Sequence, residues 1–228
     1  MADRCLYNAK LAEQAERFDD MCDWMTQCVT LKQGNLTDEE RSALSVAFKN
    51  SVGARRASWR VIAAAEARAK ADFSENARLA VRLREQVESE IRALCMNMLN
   101  MLDTRLIPTT AQPSGKVQLL KMRGDYYRYL AEISSDASIP KKALEAYEEA
   151  SAIAEVSLDV ADAARLALAL NRSVFYFEIL QDKENACRVA RTAYEAATAA
   201  AEDKQRESAL ALQLLRDNLA LWTSGAIS

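Results

Sequence analysis

Glycine and proline are scarce in this chain, with only 5 glycines and 3 prolines among 228 residues. Because these residues end helices and form the turns between strands, their scarcity favours long helices over many short strands. Apolar residues recur three and four positions apart along most of the sequence, which is the spacing of one helix face. The sequence therefore predicts an all-α fold, in a single domain over residues 1–228, of about nine antiparallel helices. Their predicted ranges are 3–16, 18–32, 38–70, 74–106, 113–134, 139–157, 160–180, 183–201 and 204–223.

Two of the predicted helix starts have a clear local cause. Thr37 and Glu40 have the spacing of a capping box, in which each side chain bonds the backbone N–H of the other residue. Pro140 follows a polar turn and is predicted to be the first residue of its helix.

The composition excludes several classes of function. Histidine is absent, which removes His-based nucleophile activation and the usual zinc ligands. The isoelectric point near 5.3 argues against a nucleic-acid partner. No apolar run reaches the ~18 residues that a membrane span needs, and the charged N-terminus does not resemble a signal peptide. We therefore expect no catalysis, no cofactor, no metal site and no membrane insertion.

The cysteines are odd in number and contain no C-x-x-C pair, which indicates free thiols in a reducing compartment. They are Cys5, Cys22, Cys28, Cys95 and Cys187. The expected location is the cytoplasm, and nuclear presence is compatible with the same sequence.

A stripe of cations runs along the third predicted helix. Lys49, Arg56 and Arg60 fall within about 20° of one line on a helix, and Arg55 points well away from that line. No acid stands three or four residues from Lys49 or Arg56. Gly53 lies on the same line and costs about 1 kcal/mol of helix propensity. The stripe is either a solvated face, or one paired with acids from another helix, or a cradle for an anionic ligand.

The opposite face of this helix carries mostly small residues, which allow another helix to approach closely. Ser58 lies on that face within "RRAS", a context like that of a kinase substrate. The alternative is an unmodified serine that takes part only in packing.

Two further segments place polar groups in helices. In "KMRGDYYRYLAE", Arg128 either pairs with Asp125 or Glu132, or joins Tyr129 in binding a phosphate. Asn171 and Asn218 each lie beside leucines on an apolar face. Such an asparagine either bonds a neighbouring helix in the core or binds the backbone of an extended peptide.

Several segments of the sequence resemble the signature segments of the 14-3-3 family, in the same order and across essentially the whole chain. They are "LAEQAERFDDM", "SVAFKNSVGARRASWRVI", "KMRGDYYRYLAE", "LALALN" with "SVFYFEIL", and "LQLLRDNLALWTS". The resemblance implies nine antiparallel helices around a concave groove, in a homodimer without catalytic activity. About 1–106 would form the dimerisation half, and about 38–223 would contribute the groove.

The resemblance also implies a role for particular residues. The phosphate would be held by Lys49, Arg56, Arg128 and Tyr129. Asp125 would orient these cations, with Lys121 nearby. The rest of the groove would comprise the peptide-bonding Asn171 and Asn218, the polar-side residues Glu178 and Trp222, and an apolar wall of Val46, Leu170, Val174, Leu210 and Leu214.

The implied dimer interface joins two sets of residues. They are Leu11, Ala15, Arg17 and Asp20 of one subunit, and Ser58, Ile62, Leu83 and Glu90 of the other. Arg17 with Glu90 keeps the family's ion pair between subunits. The chain departs from the family at Leu83, at Gln86, at Arg172 and at the charge-reversed pair of Arg4 and Glu75. It ends in "WTSGAIS", where many members continue into an acidic tail.

We expect a non-catalytic adaptor that binds phosphoserine or phosphothreonine motifs of client proteins and thereby regulates their activity, localisation or assembly. It would pair with itself and, where the reversed charges allow, with a paralogue. The alternative is a helical scaffold that binds unmodified or acidic peptides without needing phosphate.

We predict that the substitution Ser58→Glu weakens the dimer, because a negative charge on the small-residue face adds desolvation and repulsion. Sedimentation of the variant beside the wild-type chain measures the change. A dimer that persists undiminished would contradict the placement of Ser58 in the interface.

Overall fold

Helices account for nearly all of the chain that the computed structural model describes, which is residues 2–71, 75–200 and 208–224. Within those ranges there are nine helices and no strand, as the sequence predicts. They are α1 (Ala2–Gln14), α2 (Phe18–Leu31), α3 (Asp38–Ala71), α4 (Asn76–Met101), α5 (Pro113–Glu132), α6 (Ser138–Ser157), α7 (Ala163–Glu178), α8 (Lys183–Thr198) and α9 (Ala209–Thr223). A π-helical segment (Leu102–Leu106) and a short turn (Ile107–Thr109) extend α4. No helix in the described ranges is both long and apolar enough to cross a bilayer.

The chain divides into two compact units, Met1–Thr109 and Thr110–Ser228. The first contains α1 to α4 and the second contains α5 to α9. The single domain expected over residues 1–228 stays a prediction.

The observed starts of the helices can be compared with the starts that capping residues and Pro140 predict. The capping box at the start of α3 is confirmed, because the Glu40 N–H donates to Thr37 Oγ1 at 3.2 Å and the Thr37 N–H donates to Glu40 Oε2 at 2.9 Å. The prediction for Pro140 is wrong by two residues, since α6 begins at Ser138. The helix predicted from residue 160 begins at Ala163, because the Asp162 carboxylate caps it by accepting the N–H groups of Ala164 and Arg165.

The core of the first unit occupies only part of its two long helices. In α3 the buried apolar residues end at Val52, and in α4 they begin at Val87. The distal segments, residues 54–71 and 75–86, are held together largely by polar contacts such as the bond from Arg84 to the buried Glu66. Apolar side chains on these segments stay exposed, among them Val61, Leu79 and Leu83.

The core of the second unit is built around the hairpin of α5 and α6. Tyr147 of α6 is fully buried, and its ring lies against α5 at Gly124. A Cβ at position 124 would stand 2.6 Å from that ring. Because Gly124 has no side chain, α5 and α6 can approach each other this closely. Phe175 of α7 continues this core, with its ring centroid 5.5 Å from that of Tyr147.

We predict that Gly124→Ala destabilises the protein by about 1–2 kcal/mol, since the overpacking penalty outweighs the gain in helix propensity. Gly53→Ala is the matched control, because a Cβ there meets no atom within 4 Å. It should raise the free energy of unfolding by up to about 1 kcal/mol. Urea unfolding followed by circular dichroism measures both, and a neutral Gly124→Ala would contradict the tight contact.

Candidate functional site

A buried carboxylate, that of Asp125, lies at the centre of the polar residues in the second unit. Its side chain accepts hydrogen bonds from Lys121 Nζ at 2.9 Å and from the Tyr147 hydroxyl at 2.7 Å. Asn171 Nδ2 donates to both carboxylate oxygens, at 2.8 and 2.9 Å, and Arg128 Nη2 donates at 3.3 Å. The four donors come from α5, α6 and α7, so this one group ties three helices together.

The charges of this cluster stabilise each other. Burial opposes the ionisation of Asp125, but the cations of Lys121 and Arg128 and the bonds to the carboxylate outweigh it and hold the pKa below its usual value. Burial also opposes the charge on Arg128, yet the Tyr147 hydroxyl and the Asp125 carboxylate keep the pKa of the guanidinium well above its usual value. Lys121 and Arg128 are therefore two cations that share the buried carboxylate of Asp125.

Tyr147 is a site residue that the sequence analysis missed. Its hydroxyl donates to Asp125 and accepts from Arg128 Nε at 3.3 Å, so it bridges the acid and the base. Burial and the neighbouring carboxylate raise the pKa of Tyr147 well above its usual value, which keeps the hydroxyl a neutral donor. The one available signal was a large aromatic residue within the small-residue helix "KKALEAYEEASAIAE".

The guanidinium of Arg128 is held in one orientation. Besides its bonds to Asp125 and Tyr147, it lies over the Tyr129 ring, 4.8 Å from the centroid. Its Nη1 lies 4.0 Å from Glu178 Oε2, which is beyond hydrogen-bonding distance. Arg128 Nη1 therefore makes no hydrogen bond to a described residue, and Glu178 is a charged neighbour of it.

The basic stripe of α3 lies in the first unit. Lys49 is exposed and makes no hydrogen bond or ion pair with any residue in the described ranges. Arg56 is half-buried and Arg60 is exposed. Arg55 points away from the stripe, as predicted, and binds Asp19 and Glu90. The assembly of Lys49 and Arg56 with Arg128 and Tyr129 into one phosphate site stays a prediction.

The predicted groove residues of the second unit differ in exposure. Asn171 donates its amide to Asp125, which matches the alternative of an asparagine bonded to a neighbouring helix. Its amide oxygen has no donor among the described residues and remains available. Leu170 and Val174 are half-buried against the core, whereas Leu210 and Leu214 are exposed, at 71% and 41%.

The remaining groove candidates lie on α3 and α9. Val46 and Asn218 are half-buried. Trp222 is buried, and its ring stacks on Phe177 at a centroid distance of 4.8 Å. Trp222 therefore belongs to the core of the second unit, and its part in shaping a groove stays a prediction.

The candidate interface residues all lie in the first unit, and every one of them is exposed or half-buried. The exposed ones are Leu11, Ala15, Arg17, Ser58 and Leu83, and the half-buried ones are Asp20, Ile62 and Glu90. Within one chain Arg17 binds Asp20 and Glu90 binds Arg55. An Arg17–Glu90 pair between subunits would thus require both groups to exchange or share partners. Gln86, which lies beside these residues on α4, is exposed and reaches Glu90 Oε1 at 3.4 Å.

The described residues give little support for a metal site or for a reactive cysteine thiolate. They contain no group of three or more His, Cys, Asp or Glu side chains that could hold a metal ion. Burial raises the pKa of Cys22 to about 12 and that of Cys28 to about 11, so both thiols stay protonated.

Comparison with known proteins gives one consistent result. The model of the family described as 14-3-3 protein matches residues 8–223. The 14-3-3 protein I of Plasmodium falciparum is 47% identical over 96% of this chain and 88% of its own length. The 14-3-3-like protein 2 of Caenorhabditis elegans is 48% identical over 96% of this chain and 90% of its own. The 14-3-3 protein zeta of Xenopus laevis is 46% identical over 95% and 90%.

We predict that Asp125→Asn costs about 3 kcal/mol at neutral pH, because it removes the buried counter-charge of Arg128 and of the half-buried Lys121. Since the pKa of Asp125 is lower in the folded chain than its usual 3.8, its contribution is complete above that value and is lost as the pH falls below it. The difference in unfolding free energy between variant and wild type should therefore stay constant above about pH 5 and shrink below about pH 4. Urea unfolding across this range measures it.

Asp217→Asn is the control for this experiment, because Asp217 is exposed on α9. It should change the unfolding free energy by less than about 0.5 kcal/mol. A difference for Asp125→Asn that does not change down to pH 2 would contradict the depressed pKa of Asp125.

Proposed function

Because this chain belongs to the 14-3-3 family, we propose that it binds phosphoserine or phosphothreonine segments of client proteins through Lys49, Arg56, Arg128 and Tyr129. Members of the family bind phosphorylated clients, dimerise and act as non-catalytic adaptors. The observation that carries the proposal is the oriented guanidinium of Arg128, whose Nη1 lies beyond hydrogen-bonding distance of Glu178 and makes no hydrogen bond to a described residue.

The electrostatics of the cluster favour a phosphate over a neutral side chain. Lys121 and Arg128 share the carboxylate of Asp125, and the exposed carboxylate of Glu178 lies 4.0 Å from Arg128. The α3 stripe adds Lys49, an exposed cation without an acid at helical spacing. A phosphoserine brings about −1.5 to −2 charges and three acceptor oxygens. An unmodified serine brings neither, so phosphorylation acts as the switch for binding.

The same cluster lowers the entropic cost of binding. Arg128 has only 8% of its side chain exposed and is bonded by Asp125 and Tyr147 before any ligand arrives. Ordering a flexible cation on binding costs about 0.5–1.5 kcal/mol, and most of that cost is already met here by folding.

The peptide around the phosphate would be bound by polar and apolar groups of the second unit. The Asn171 amide oxygen is available to accept an N–H of an extended backbone. Asn218, half-buried on α9, is the second amide. The exposed Leu210 and Leu214 would contribute sequence-tolerant apolar contact. This combination would allow peptides of many different sequences to bind, because the hydrogen bonds are made only to the phosphate and the peptide backbone.

We also propose that the chain forms a homodimer through its first unit. The distal segments of α3 and α4 leave Val61, Leu79 and Leu83 exposed, and Leu11 of α1 is 53% exposed. A second copy would bury these side chains, at about 25 cal/mol for each Å² removed from water. Two binding sites in one dimer would raise the avidity for a doubly phosphorylated client. The cytoplasm, where kinases act on such clients, is the compartment we propose.

We predict that Lys49→Glu abolishes phosphopeptide binding and leaves the fold intact, because the exposed side chain lies outside the core and its reversal repels the phosphate. The measurement is fluorescence polarisation with a labelled Arg-Ser-x-phosphoSer-x-Pro peptide and with its unphosphorylated twin. Wild-type protein should bind only the phosphorylated form, with a dissociation constant at or below about 1 μM.

Arg68→Glu is the matched control, since Arg68 is another exposed cation of α3. It should keep near wild-type affinity. Unchanged affinity in Lys49→Glu would remove Lys49 from the site. Equal binding of both peptides by the wild type would instead favour a scaffold that does not require phosphate.

A further inference from the structure

A second group of cations lines a cleft between α6, α7 and α8, and none of the residues assigned to the peptide site is part of its lining. The cleft encloses about 180 Å³. Arg165 and Arg172 of α7 and Arg188 of α8 line it, against the single carboxylate of Glu155. All four residues lie in the second unit, and the sequence analysis singled out only Arg172, as a departure from the family.

Arg172 is the residue in this cleft whose bonding is incomplete. Its Nη1 donates to Ser151 Oγ at 3.1 Å, and its guanidinium carbon lies 5.7 Å from the centre of the Tyr176 ring. Its Nε is buried and has no hydrogen-bond acceptor among the described residues. A buried N–H of a charged group without an acceptor is costly, and an oxyanion in the cleft would remove that cost.

Arg165 and Arg188 use only some of their N–H donors in hydrogen bonds within the protein. Arg165 Nη1 donates to the Leu158 carbonyl at 2.9 Å, at the C-terminal end of α6. Arg188 uses Nε and Nη2 to bond Asn185 Oδ1, at 3.1 and 2.8 Å. Each guanidinium has five N–H groups, so both keep donors for a ligand.

We propose that this cleft binds a small oxyanion, a phosphate or carboxylate group on a short apolar body, with Arg172 as its main contact. The volume is smaller than the roughly 300 Å³ at which sites for drug-sized ligands begin. The ligand is therefore a compact molecule. Apolar walls, including Leu166, Val189 and Ala193, suit a short hydrocarbon body beside the charged group. The proposal does not depend on the phosphopeptide function, because it uses none of the same residues.

The test is a titration of the full chain, carrying Lys49→Glu to weaken anion binding at the peptide site, with sodium phosphate and separately with sodium benzoate. Backbone amide NMR spectra report where each anion binds. We expect saturable shifts at Ala169, Val189 and Ala193, which line the cleft. Shifts with benzoate alone would identify a carboxylate with an apolar body, and shifts with phosphate would identify a phosphate group. No saturable shift at these amides with either anion would overturn the proposal.

Substitutions of single arginines test which side chains contact the anion. Arg172→Gln should weaken binding at least about tenfold, as expected for the loss of a charge-assisted bond. Arg188→Gln should weaken it about threefold, and because Arg188 is exposed, this variant keeps the test valid if Arg172→Gln fails to fold. Arg191→Gln, an exposed arginine of α8 outside the cleft lining, should change affinity by less than about twofold. Equal affinity in wild type and Arg188→Gln, or in wild type and a folded Arg172→Gln, would overturn the proposal.

Discussion

The buried carboxylate of Asp125 is the constraint on which the second unit depends. An ionised carboxylate in a protein interior is tolerated only when cations and hydrogen-bond donors surround it. Here Lys121, Arg128, Tyr147 and Asn171 supply those donors, and they come from α5, α6 and α7. The three helices must therefore adopt one arrangement for the charge to be satisfied at all.

The same arrangement orients the Arg128 guanidinium, which the proposed function assigns to phosphate binding. Arg128 is oriented by its acid partner and by the Tyr147 hydroxyl, and Tyr147 reaches both because Gly124 lets its ring lie directly against α5. Gly124, although unfavourable for helix propensity, thus allows the contacts of Tyr147 with Asp125 and Arg128. In the proposed phosphopeptide site, Arg128 would thus be oriented by the same contacts that pack α5 against α6.

In the first unit, the long helices α3 and α4 extend beyond the buried core. Residues of α3 beyond Val52 and of α4 before Val87 bury no apolar side chain, and polar contacts such as Arg84 with Glu66 hold them together. This leaves apolar side chains such as Val61 and Leu79 at the surface. In the proposed homodimer, a second copy would cover these side chains.

The sequence by itself determined the helical class, the number of helices and the capping box at Thr37 and Glu40, because these depend on spacing within a few residues. It also separated Arg55 from the cation stripe of α3, since direction around a helix follows from position alone. It did not reveal Tyr147 as the bridge between Asp125 and Arg128, or the burial of Trp222 against Phe177. It left open whether Asn171 bonds a neighbouring helix, which it does through Asp125. Those features join residues 19 to 46 positions apart in the chain. Only the tertiary structure could decide them, because the pattern within one helix says which face is apolar but not which side chain of another helix will meet it.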